Sequence, residues 1–110
     1  MTHFEELESM NKEIDMRPLR RLDLTVREVD GEALVLDRAA GKIHQLNETA
    51  SYVWSCCDGF STVVEIAQRY ASRYGIAHKL ALKDVTAAVS SFQSFGLVSN
   101  ARRPHDNEEN

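Results

Sequence analysis

Residues 43–59 read Ile-His-Gln-Leu-Asn-Glu-Thr-Ala-Ser-Tyr-Val-Trp-Ser-Cys-Cys-Asp-Gly, a strand running straight into a helix. Leu46 closes the strand. Asn47 is placed to cap the helix, since its side-chain oxygen can accept from a free amide of the first turn, and Glu48 sits at the positive end of the helix dipole. Ala50, Val53, Trp54 and Cys57 then recur at i, i+3, i+4 and i+7, which puts the only Trp of the chain on one stripe facing a core. Asp58-Gly59 ends the helix, with Gly59 free to turn left-handed. The strand before this helix and the helices after it must all pack on that stripe.

Working back toward the N-terminus, residues 42–46 form a short strand reached through the turn Arg38-Ala39-Ala40-Gly41. Residues 32–37 form the strand before it. Asp30-Gly31 is a strong hairpin signal, because both central residues of the favoured two-residue turn need positive φ. Leu22, Leu24 and Val26 alternate with polar residues and predict a first strand. The three make an antiparallel meander. Parity within the last strand poses a conflict: if Leu46 points inward, His44 shares its face while Ile43 and Gln45 point away. Either a polar residue lies under the helices, an apolar one lies outside, or a bulge or strand end removes the conflict. In residues 1–17, Phe4, Leu7, Met10 and Ile14 fall at helical spacing and Thr2 with Glu5 matches a capping box, so this arm is either a docking helix or a disordered segment.

Toward the C-terminus, Thr62 and Glu65 form a second capping box, and Val63, Ile66, Ala67, Tyr70 and Tyr74 give the next helix its apolar stripe up to Gly75. Residues 76–81 read as a linker. A third helix is predicted over residues 82–95, with Val85, Ala88, Val89, Phe92 and Phe95 on one face and Gly96 as its stop. Residues 99–110 are polar, contain Pro104 and read as a disordered tail. The expectation is an α+β domain of the winged helix-turn-helix type: a three-stranded antiparallel sheet followed by a three-helix bundle. Residues 1–21 are the arm, 22–98 the domain and 99–110 the tail.

The composition narrows the function. The formal net charge is −4, without the basic excess that phosphate neutralisation demands of a general nucleic-acid binder. The four histidines, His3, His44, His78 and His105, lie far apart with no cysteine or carboxylate at ligand spacing, so no metal is expected. Cys56 and Cys57 are adjacent and cannot build a disulfide framework; Cys57 belongs to the core stripe, where a thiol acts as a small hydrophobe. No phosphate-binding loop or nucleophile elbow occurs. The chain is therefore expected to be neither an enzyme nor cofactor-dependent. With no signal peptide or long apolar run, a soluble cytoplasmic protein that does not engage membranes is expected.

The motifs Leu46-Asn47-Glu48-Thr49-Ala50, Val53-Trp54, Cys57-Asp58-Gly59 and Thr62-Val63-Val64-Glu65-Ile66-Ala67 together resemble the PqqD family of pyrroloquinoline quinone (PQQ) biosynthesis. The same unit is called the RiPP recognition element where it binds leader peptides of ribosomally made, modified peptides. The resemblance spans residues 24–98. It implies a non-catalytic peptide chaperone, which holds a precursor's leader as an added strand and presents the core to a modifying enzyme of the radical SAM or a related type. It also implies a binding edge made of Lys42, Ile43, His44, Gln45 and Leu46, and a wall drawn from Asp84, Val85, Ala88, Ser91, Phe92 and Phe95. Core packing is the alternative role for Val85, Phe92 and Phe95, and protection of a sheet edge is the alternative for Lys42 and His44. A DNA-binding winged-helix regulator is the second reading of the fold, but the third helix carries only Lys83 and Asp84 as charges, which is poor equipment for a groove. Both a monomer and a homodimer are compatible with the sequence.

Overall fold

A computed structural model describes residues 16–101; the predicted helix of the N-terminal arm and most of the predicted tail lie outside the described residues. Strands β2 (Thr25–Val29), β3 (Glu32–Asp37) and β4 (Lys42–Leu46) form an antiparallel sheet in the order β2-β3-β4. The expected α+β class holds. Asp30 and Gly31 take successive positive φ values of 53° and 81°, the primed turn whose twist suits a tight hairpin. Ala33, Val35 and Asp37 turn to the helices and are buried. Opposite them in register stand Leu46, His44 and Lys42.

The first strand starts later than the alternation of Leu22, Leu24 and Val26 suggests. Leu22 is 90% exposed, and the chain between residues 20 and 25 is instead organised by Arg21. Its guanidinium donates from Nε and Nη2 to the two Asp23 oxygens at 3.0 and 2.6 Å and from Nη1 to Asp37 at 2.8 Å. Such a two-pronged guanidinium–carboxylate contact fixes geometry as well as charge. The residues before it, Pro18–Arg20, form β1, which pairs antiparallel with β5 (Val98–Asn100) at the far end of the chain. The β1–β5 ladder thus draws on residues on both sides of 22–98.

Helix α1 (Glu48–Ser55) starts as its cap predicts, with Asn47 Oδ1 accepting from the Ala50 amide at 2.9 Å. At its other end Arg20 Nη1 donates to the Ser55 carbonyl at 2.7 Å, taking up one of the free acceptors left by a helix terminus. Gly59 does not itself cap the helix; Cys56 does, and Gly59, at φ 84°, is where Leu19 comes so close that a Cβ would stand 3.0 Å from its Cδ1. Helix α2 (Val63–Tyr74) has both halves of the Thr62/Glu65 capping box and a left-handed Gly75 at its end. Helix α3 (His78–Ser94) begins earlier than the predicted residue 82. Its N-cap, Ala77, makes no side-chain cap bond, so the start carries no polar signal, and the buried Ala81 is too small to announce a stripe.

The core gathers these faces: Val53, Trp54 and Cys57 around α1, Ile66, Ala67 and Tyr70 from α2, Ala81, Val85, Val89 and Phe92 from α3, closed by Ala33, Val35 and Leu46 of the sheet. Ser51 pins α1 to the sheet. Its hydroxyl accepts from the Ala33 amide at 2.8 Å and donates to the Leu46 carbonyl at 3.0 Å, across the paired residues at the end of the β3–β4 ladder. No described helix is long and apolar enough to cross a membrane.

Candidate functional site

Strand β4 is an edge: only β3 pairs with it among the described residues. An edge strand presents a row of main-chain donors and acceptors with nothing to bind. Beyond that edge stands α3, and the two elements meet where the His44 and Phe95 rings lie 5.0 Å apart, tilted by 35°. The parity conflict resolves without a bulge. His44 lies on the helical side against Phe95, and Ile43 lies on the outer face, 68% exposed. The flat His44 ring packs on the Phe95 ring, yet its Nε2 is buried without a hydrogen-bond partner.

The wall residues separate into two sets. Asp84, Ser91 and Phe95 are exposed and Ala88 is half-buried, so these form a surface along α3 beside β4. Val85 and Phe92 are buried in the core, where they hold the wall from behind. At the Leu46 end the surface deepens into a depression of about 250 Å³, lined among others by Thr49, Ala50, Val53, Tyr70 and Ala87 with Asp84 and Ala88. Sequence reasoning named Asp84 and Ala88 for the site and missed Thr49, Ala50, Val53, Tyr70 and Ala87. The available signal was the small pair Ala87-Ala88 on a helix facing the start of α1, where missing side-chain volume leaves room. Tyr70 donates to Asp84 Oδ2 at a long 3.4 Å, and burial raises its phenolic pKa.

The described surface holds no cluster of three or more His, Cys, Asp or Glu side chains able to hold a metal. Cys57 is fully buried and burial pushes its thiol up to about 12, far from the thiolate a nucleophile needs. What the arrangement offers is main-chain hydrogen bonding along one edge and a shallow shelf of mixed polarity beside it.

A three-stranded sheet with an open edge over three helices defines a small α+β domain of the winged-helix kind. The family described as "Coenzyme PQQ synthesis protein D (PqqD)" matches residues 32–98, and this chain belongs to it. The match takes in the whole of β3, β4 and the three helices, together with Val98, the first residue of β5. The fold is similar to that of a lasso peptide synthetase B1 complexed with the leader peptide, with a TM-score of 0.66 and 25% identity over 76% of this chain and 98% of that one. It is similar, too, to that of TbiB1 in complex with the TbiA(beta) leader peptide, with a TM-score of 0.66 and 16% identity over 74% of this chain and 94% of that one. Among curated proteins none matches.

Proposed function

We propose that this chain is a peptide-capture module that binds the leader of a ribosomally made precursor by strand addition and delivers it to a modifying enzyme. The observation that carries this reading is the free edge of β4 set beside α3, in a family member whose fold is shared by two proteins solved with leader peptides. In strand addition the main-chain bonds supply affinity and the alternate side chains supply register and choice. Lys42, Ile43, His44, Gln45 and Leu46 provide the edge; Asp84, Ala88, Ser91 and Phe95 provide the shelf, backed by Val85 and Phe92.

The module makes no bond itself. It contributes by binding leader and enzyme together, which converts a bimolecular encounter of core and active site into an effectively intramolecular one. The enzyme is of the radical SAM or another peptide-modifying type, as the resemblance to quinone-pathway proteins implies. An NMR titration of the isotopically labelled protein with the synthetic leader of the precursor encoded beside it tests the reading. Amide shifts concentrated in β4 and along α3 support it. Saturation without movement in β4 would place the peptide elsewhere and remove strand addition.

A further inference from the structure

The edge strand carries a pattern on its inner face that specifies what kind of peptide it takes. Side chains of an added strand alternate between faces, so those on the helical side stand next to Lys42, His44 and Leu46 in turn. Each of the three presents a different unfilled requirement. Beside Leu46, which is buried, lies the depression of about 250 Å³ between the start of α1 and α3. It has room for an apolar side chain against Ala50, Val53 and Ala88.

His44 is half-buried between Val35, its fully buried cross-strand partner, and the ring of Phe95. Its Nε2 has no hydrogen-bond partner, and both neighbours are hydrocarbon. A buried polar atom left without a bond is expensive, and a group that supplies the bond is favoured accordingly. Phe95, more than half exposed at the C-cap of α3, is the side chain able to swing aside and admit one. Lys42 is exposed and forms no ion pair among the described residues, because the carboxylate of its cross-strand partner Asp37 is already held by Arg21 and the Ala40 amide.

Granted the strand addition proposed above, we infer that this chain selects peptides with three inward side chains at two-residue intervals: apolar beside Leu46, hydrogen-bond-accepting beside His44, and acidic beside Lys42. The acceptor is a carboxylate or a hydroxyl, either of which takes a hydrogen from the imidazole tautomer that carries it on Nε2. The order of the three along the peptide reverses with strand polarity, but the spacing does not. His44 is the specificity-determining residue, since of the three it is the one with a buried polar atom that no protein neighbour satisfies.

The test is selection from a phage-displayed random dodecapeptide library against the wild type, His44→Phe, His44→Gln and Lys42→Glu. Wild-type selections are expected to converge on Asp, Glu, Ser or Thr two residues from an apolar position. Replacing that acceptor by Ala in a synthetic peptide is expected to weaken binding about tenfold on the wild type and less than about twofold on His44→Phe, a coupling that a merely structural role would not produce. His44→Gln, which keeps a nitrogen at similar reach, restores the preference, and decides the matter if the Phe variant melts early. Lys42→Glu replaces the preference for an acidic residue at the third position by one for a basic residue. If His44→Phe selects the same sequences as the wild type, the assignment to His44 is wrong while strand capture stands. If the wild type enriches no peptide above an unrelated scaffold, capture itself falls.

Discussion

Ser51 shows how much one hydroxyl decides in this protein. It is buried, and it satisfies both the Ala33 amide and the Leu46 carbonyl at the join of sheet and helix. Ser51→Ala leaves the Ala33 amide buried and unpaired, so a loss of about 1–3 kcal/mol is expected in urea melts, with the midpoint moving and the slope unchanged. The vicinal thiols differ by environment alone. Cys57, held near pKa 12 by burial, should be silent to Ellman's reagent at pH 8, so that native protein yields only the half-buried Cys56 and the second thiol appears on denaturation. Asp37 has the opposite shift. The hydrogen bond from Arg21, aided by the Ala40 amide, holds its carboxyl below the usual carboxylate range. A depressed carboxylate stabilises the fold fully above its unfolded value of about 4 and loses that contribution as pH falls through the folded value. Thermal melts should therefore show D37N several degrees less stable than wild type at neutral pH, with the gap narrowing once the pH drops below about 4.

At the level of elements, α3 has one inward and one groove-facing side, and substitution should separate them. Phe92 is 2% exposed, and F92A should lose about 3–5 kcal/mol of stability from transfer and cavity terms. Phe95 is 54% exposed, and F95A should lose under about 1 kcal/mol while weakening peptide binding. Denaturant titration and peptide binding measured on the same two variants check the split. The elements legible in the sequence were those with a local cause: Asn47 and the Thr62/Glu65 box announce α1 and α2, and Asp30-Gly31 announces the β2–β3 hairpin. The start of α3 was not legible, because Ala77 caps it without a side-chain bond. Nor was the β1–β5 ladder, whose three pairs join residues from opposite ends of the chain and leave no periodic trace in segments so short. The open edge of the proposed site follows from period-two alternation, whereas the depression beside Leu46 depends on how α1 and α3 converge, which no local pattern encodes.

For the molecule as a whole, charge distinguishes the two functions a winged fold can serve. A module that holds a strand by main-chain bonds beside a shelf of Asp84, Ala88, Ser91 and Phe95 has few charges to neutralise on binding; Lys42 on the edge and Asp84 on the shelf are both exposed and opposite in sign. A nucleic-acid binder, in contrast, gains affinity by releasing counterions and loses it steeply as salt rises. The net charge of −4 leaves no surplus for that mechanism. Between about 50 and 500 mM NaCl, affinity for a captured peptide should thus change less than about threefold, since exposed charges at this spacing are screened within a Debye length of about 10 Å or less and apolar burial is untouched. Duplex DNA should neither bind at physiological salt nor displace the peptide. Fluorescence anisotropy of one labelled peptide across the salt series, repeated with unlabelled duplex as competitor, measures both. A steep loss of affinity with salt would show that the charged side chains and not the strand edge hold the ligand, and displacement by DNA would return the fold to the regulators it resembles in outline.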